Sequence, residues 1–254
     1  MKKINKYIEF FMTKLKVVIH EKKYMYENIN VKYMFEKNYS DTLIVILSAC
    51  TREGVKARYN YNRTLKEYKV NKLFILDDFG PDKRGTFYLG KNGDFSIPKA
   101  INKLIDEKIN EINCKNIIFV GSSKGGAAAL YYGLQRENSN IIVGAPQYYL
   151  GNYMNKKHHM ERFKYIVGKV NDDSIHMLNS LIPDNIRKAK NTKIYLQYSK
   201  SDSYYDTDIK HLVNDLNISN LEFYNEEVNY KNHSDVTLFF PKFLKENLER
   251  VMSN

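Results

Sequence analysis

Between Ile117 and Leu134 the chain runs from a short apolar segment, Ile117 to Val120, through Gly121-Ser122-Ser123-Lys124-Gly125-Gly126 into the small-residue run Ala127, Ala128 and Ala129. A G-x-S-x-G pattern alone is common. Set between a strand and a helix it is restrictive, because a serine on a sharp strand-to-helix turn tolerates no Cβ two residues to either side. Small residues after the turn let the following helix approach the sheet closely. This reading makes Gly121 to Gly125 a nucleophile elbow carrying Ser123. An anion-binding turn at a helix N-terminus is the competing reading. A P-loop is excluded because G-x-x-x-x-G-K-[ST] is absent.

The surrounding pattern agrees with an elbow. Leu43 to Leu47, Leu73 to Leu76, Ile117 to Val120, Ile141 to Val143, Ile194 to Gln197 and Leu221 to Tyr224 are short apolar runs of the length of buried strands. Helical intervals separate several of them: Ile101, Leu104, Ile105 and Ile109; Ala127 to Leu134; Ile209, Leu212, Val213 and Leu216; and finally Leu238 to Leu248. Alternating strands and helices predict an α/β fold, specifically an α/β-hydrolase-like three-layer sandwich with a mostly parallel central sheet. At 254 residues the chain suits one such domain. We divide it into residues 1–40, an N-terminal extension or cap packed on the main domain, and 41–254, the α/β-hydrolase-like domain. A helix over Asn5 to Ile19 and a lid, cap or added hairpin around Tyr24 to Phe35 are the readings of the extension.

Composition narrows the function classes. Lysines and acidic residues interrupt every apolar run from Met1 to His20, so neither a signal peptide nor a membrane span is expected there. Two cysteines, Cys50 and Cys114, permit one disulfide but do not make a disulfide framework, which favours a reducing compartment. The formal charge of +11 fits attraction to an anionic polymer or lipid surface, but equally the general Lys, Asn, Ile and Tyr richness of the chain. No nucleic-acid-binding signature accompanies it, and no nucleic acid partner is expected. Metal is not expected either, since no compact signature such as H-E-x-x-H is present.

A serine nucleophile needs a base, and the base an orienting acid. In this fold the chain order is serine, acid, histidine. His233, between the last strand and the closing helix, is the expected base, and His211, inside a helix, an ordinary packing or surface residue. Asp202, a short turn after Ile194 to Gln197, leads as the acid, with Asp206 and Asp208 competing. The oxyanion hole should use the backbone N–H of Lys124 and one from the loop after Leu47, at Ala49 or Cys50. Tyr88, Tyr148 and Tyr149 offer flat faces for a sugar, and Arg84 a partner for a carboxylated or phosphorylated ligand. For each of these four, a packing or solvated role competes.

With these residues in place the chain resembles the α/β-hydrolase-like family of bacterial capsular polysaccharide biosynthesis proteins. More distantly it is similar to the acetyltransferase-like component of accessory secretion systems that handle glycosylated adhesins. The resemblance rests on Gly121 to Gly126 running into Ala128-Ala129-Leu130-Tyr131-Tyr132-Gly133, on Gly144-Ala145-Pro146-Gln147-Tyr148-Tyr149-Leu150-Gly151, and on His233-Ser234-Asp235 before Phe240-Pro241. It implies a cytoplasmic protein near the inner membrane face, acting by serine-dependent acyl transfer or ester hydrolysis on a surface or capsular glycan or its precursor. Hydrolysis needs no cofactor, and the donor for a transferase is left open. A glycan-binding scaffold without catalysis and a small-molecule carboxylesterase are the alternatives.

Overall fold

A computed structural model describes Met12 and residues 15–253. The expected helix over Asn5 to Ile19 therefore lies largely outside the described residues, of which 15–20 are helical (α1). Among the described residues eight strands form a single sheet in the order β1-β2-β4-β3-β5-β6-β7-β8. They are β1 (Lys22–Tyr26), β2 (Ile29–Glu36), β3 (Thr42–Leu47), β4 (Asn71–Leu76), β5 (Asn116–Ser122), β6 (Ser139–Gly144), β7 (Lys193–Tyr198) and β8 (Glu222–Glu227). Strands β3 to β8 run parallel, while β1 and β2 pair antiparallel and join the sheet antiparallel to β4. The segment around Tyr24 to Phe35 is thus a hairpin that widens the sheet. Its turn places Glu27 at φ 49, in the left-handed region. That turn lacks the Asn-Gly or Asp-Gly dipeptide that would announce it in the sequence.

Every residue of β3 and β4 is buried, which explains the continuous apolar runs Leu43 to Leu47 and Leu73 to Leu76 within them. Successive side chains point to opposite faces. Leu43, Val45 and Leu47 accordingly enter one core with Phe119, while Ile44 and Ile46 enter a second with Ile118 and Val120. The first core is covered by α2 (Ser96–Ile112), α3 (Lys124–Gly133), α4 (Leu150–Met154), α5 (Met160–Val167), α6 (Asp172–Lys188) and α7 (Lys210–Ile218). The second is covered by α8 (Val236–Ser253), with Val17 of α1 packed against it. Helices therefore lie on both faces of a largely parallel sheet, the expected three layers. Helices α4, α5 and α6 have no counterpart in the sequence reading.

Candidate active site

The site forms at the carboxyl ends of the parallel strands, where α/β sheets place their ligand crevices. Strand β5 ends at Ser122, α3 begins at Lys124, and Ser123 between them adopts φ 51, ψ −125. A non-glycine residue in that region is a strained conformation, held only where its surroundings over-determine it. Here they do. The Ser123 N–H donates to Gly144 O at 2.8 Å, anchoring the turn to β6. A Cβ on Gly121 would lie 2.1 Å from Gly125 O, and one on Gly125 would lie 2.5 Å from Leu47 O. Both positions are glycine because backbone occupies the space where a side chain would start.

His233 sits in a short 3-10 turn, His233–Asp235, between β8 and α8. Its Nε2 lies 2.8 Å from Ser123 Oγ and its Nδ1 2.9 Å from Asp202 Oδ2. With Nδ1–H donated to the carboxylate, Nε2 is left to accept the serine proton. The Asp202 side chain is fully buried, and its Oδ1 accepts from the Tyr204 N–H at 3.0 Å. One carboxylate oxygen is thus fixed by backbone while the other faces the imidazole. The Tyr204 ring meets His233 edge-on at 4.8 Å between centroids, holding the imidazole from the side.

The competing carboxylates go elsewhere. Asp208 Oδ1 accepts from the N–H groups of Tyr148 (2.7 Å) and Tyr149 (3.2 Å), which ties the loop after β6 to the start of α7. Asp206 is exposed and lies 3.9 Å from Lys210. His211 is also exposed, with its ring against Tyr149.

Around the expected oxyanion hole the structure is more specific than the sequence reading. Lys124 is the first residue of α3, so its N–H has no partner within the helix. On the opposite side the Ala49 N–H already donates to Asn60 Oδ1 at 2.9 Å, leaving Cys50 as the remaining member of the expected pair. Arg84 is anchored at one side of its guanidinium. Its Nε and Nη2 donate to Thr51 O at 2.9 and 2.6 Å, latching the loop that carries Cys50.

Two expected sugar-facing tyrosines are corrected by burial. Tyr88 is fully buried; its hydroxyl accepts from the Ser48 N–H and donates to Ile75 O at 2.9 Å, so it props the same loop from beneath. Tyr148 is also fully buried, with its hydroxyl bonded to Asp215. Of the three tyrosines only Tyr149 is partly exposed.

The sequence reading missed Gln147 as a site residue. Its buried amide places Nε2 3.1 Å from Ser123 Oγ and 3.4 Å from His233 Nε2. The signal was positional: Gln147 comes three residues after the end of β6, the strand paired with β5, at the same edge of the sheet. The arrangement as a whole can activate a hydroxyl toward a carbonyl carbon and offer N–H donors to the resulting oxyanion. Among the described residues no group of three or more His, Cys, Asp or Glu side chains could hold a metal ion, and no helix is long and apolar enough to cross a membrane.

Known proteins share this architecture. The chain superposes on a mutant capsule O-acetyltransferase of Neisseria meningitidis serogroup A in complex with CoA, with a TM-score of 0.73 and 21% identity, covering 89% of this chain and 94% of that one. It superposes on a fluorophosphonate-binding serine hydrolase of Staphylococcus aureus with a TM-score of 0.67 and 13% identity, covering 91% of this chain and 96% of that one. At such identities these likenesses establish the α/β-hydrolase fold. An accessory Sec system protein of Staphylococcus aureus (strain NCTC 8325 / PS 47) is 33% identical over 103 residues, which span 40% of this chain and only 18% of that protein. The family model for the accessory Sec system GspB-transporter matches residues 64–250, most of the sheet together with Ser123, Asp202 and His233 but not the loop at Cys50, and the chain belongs to that family.

Proposed function

We propose that the protein is a serine-dependent acyltransferase or esterase acting on a bacterial surface or capsular glycan or its precursor. The observation that carries the chemistry is the continuous relay from Ser123 Oγ through His233 to the buried Asp202 carboxylate. As Ser123 Oγ bonds to the acyl carbonyl carbon, His233 Nε2 takes its proton, and Asp202 stabilises the imidazolium. The oxyanion is met by the N–H of Lys124 and one from the loop at Cys50. Collapse of the tetrahedral adduct breaks the bond to the leaving group, which receives the proton from His233, and an acyl-serine remains. A sugar hydroxyl then gives its proton to His233 and attacks the acyl carbon, returning Ser123; water in the same place gives hydrolysis.

The choice of substrate class follows from likeness to capsule O-acetyltransferases and from family membership. The CoA complex of the Neisseria protein supports an acyl-CoA as donor. A glycan precursor as acceptor implies work at the cytoplasmic face of the membrane, where a net charge of +11 favours peripheral contact with anionic lipid.

The test has two stages. A fluorophosphonate probe should label the protein at one site, and folded Ser123→Ala protein should show no adduct by intact mass. The purified protein is then given acetyl-CoA with and without the intracellular glycan precursor, and acetate and modified sugar are followed by mass spectrometry. Ser123-dependent sugar acetylation establishes transfer, and Ser123-dependent loss of acetyl from a modified glycan establishes the esterase. Unchanged labelling of Ser123→Ala would end the assignment of the nucleophile.

A further inference from the structure

A cluster of cations lies around Tyr204 and the loop at Cys50 and is not used by the relay. Arg162, on α5, is 4% exposed, and its Nη2 donates to Asp82 Oδ2 at 2.9 Å. Its Nε and Nη1 are buried without a hydrogen-bond partner among the described residues, as is Nε2 of the neighbouring His159. Leaving such donors unpaired in the interior is costly, most of all for a charged group. Asp82 is shared, because Arg84 Nη1 lies 3.6 Å from its Oδ2. Lys156, half-buried just before the turn at Lys157–His159, holds its Nζ over the rings of Tyr153 (5.7 Å) and Tyr204 (4.9 Å). Three cations, Lys156, Arg162 and Arg84, thus gather around His159, and the one carboxylate among them, Asp82, is taken by the two arginines. The surplus is felt by His159, whose imidazole is pushed down to about 4, first by burial and then by the charges of His158, Arg162, Lys156 and Arg84.

This cluster touches the proposed site at two points. The Tyr204 ring that lies under Lys156 is the one that meets His233 edge-on. Arg84 Nη2 lies 3.7 Å from Cys50 Sγ, on the loop expected to complete the oxyanion hole. A group held at Lys156 and Arg84 is therefore one aromatic ring away from the base and beside the loop that carries Cys50.

We propose that Lys156, Arg84 and Arg162 form a subsite for a phosphate group carried by the substrate of the acyl-transfer reaction, an inference that rests on Ser123 being the nucleophile. Lys156 and the partly exposed Arg84 meet the anion from the mouth, and Arg162 supplies charge from beneath. The choice of phosphate over carboxylate follows from charge: three cations and one carboxylate leave a surplus that a dianion or diphosphate matches and a monoanion does not. Both an acyl-CoA donor and a phosphorylated sugar acceptor carry such groups.

Isothermal titration calorimetry at fixed ionic strength decides the matter, using inorganic pyrophosphate, CoA, a hexose 1-phosphate and glucuronate as ligands. Pyrophosphate should bind wild-type and Ser123→Ala protein equally, so failure of the nucleophile assignment leaves this readout intact. Binding should weaken by about tenfold or more in Arg162→Gln and severalfold in Lys156→Ala, the loss expected for removing a charged donor. If Arg162→Gln does not fold, the half-buried Lys156→Ala reads the same site. CoA binding with the same losses identifies the donor as the phosphate carrier, and hexose 1-phosphate binding identifies the acceptor; either supports the subsite. No binding of any phosphate ligand, affinities unchanged in the folded variants, or glucuronate binding as tightly as pyrophosphate would each overturn it.

Discussion

The ammonium of Lys124 lies 2.7 Å from Asp77 Oδ2, with both side chains buried directly behind the turn that carries Ser123. Asp77 also accepts from the N–H groups of Thr86 and Tyr88, each at 3.0 Å, so the pair joins α3, the end of β4 and the loop that follows β4. Removing one member strands the other in the core. We expect Lys124→Met and Asp77→Asn each to destabilise the fold by about 3–5 kcal/mol, the range for breaking a buried ion pair. The double variant should lose less than the two single losses combined. Urea denaturation of the four proteins measures this. Strict additivity would show that the two charges do not support each other.

Loss of the base and loss of its orienter should differ in their consequences. His233→Ala removes proton transfer, and acylation of Ser123 by an activated ester should fall by about 100-fold to 10,000-fold. Asp202→Asn keeps the shape but offers His233 an amide, and is expected to lower the rate by at least about 100-fold. Gln147→Leu removes a donor to Ser123 Oγ but leaves the base and its acid in place, so its loss should be smaller, about tenfold. Stopped-flow acylation rates rank the three variants. A Gln147→Leu defect as large as that of His233→Ala would place the amide in the reaction itself.

The elbow should be intolerant of even one methyl group. Gly125→Ala puts a Cβ 2.5 Å from Leu47 O, a backbone atom that cannot move without shifting β3. Loss of about 3 kcal/mol or more is expected, together with loss of probe labelling in whatever protein remains folded. Gly54→Ala is the control for space, since nothing lies within 4 Å of a Cβ there, although its φ of 75 will strain any side chain. Equal melting temperatures for Gly125→Ala and the wild type would show that the sheet and α3 are less tightly apposed than the contact implies.

Acid should destabilise the protein through His159 in a defined window. Its folded-state pKa is depressed to about 4 from an ordinary 6.5. Between these values the unfolded chain takes up a proton that the folded chain refuses, so stability falls as the pH drops through that interval and then levels off. His159→Gln removes this contribution. The difference in melting temperature between variant and wild type, followed from about pH 7 to about pH 5, should move in favour of the variant. A difference that stays constant with pH would mean that His159 takes up its proton equally in both states.

The sequence by itself determined the parallel core and the elbow. Continuous apolar runs such as Leu43 to Leu47 can only be strands buried on both faces, and the Gly121 to Gly126 turn admits few geometries once a strand precedes it and a small-residue helix follows. These are local consequences of side-chain size and backbone freedom. Choosing among Asp202, Asp206 and Asp208 as the neighbour of His233 was beyond it, because all three lie on one short loop and differ only in where the folded chain aims them. Tertiary structure gave Asp208 two backbone N–H groups to hold, left Asp206 in solvent, and turned Asp202 toward the imidazole. The same was true of Tyr88, Tyr148 and Gln147. Nothing in a tyrosine or glutamine codon's product signals burial under a loop or contact with a serine in another segment, since those contacts exist only after strands distant in sequence pair. The cations Arg84 and Arg162 are likewise far apart in the chain, and only the packing of α5 against the loop after β4 brings them to one carboxylate, Asp82.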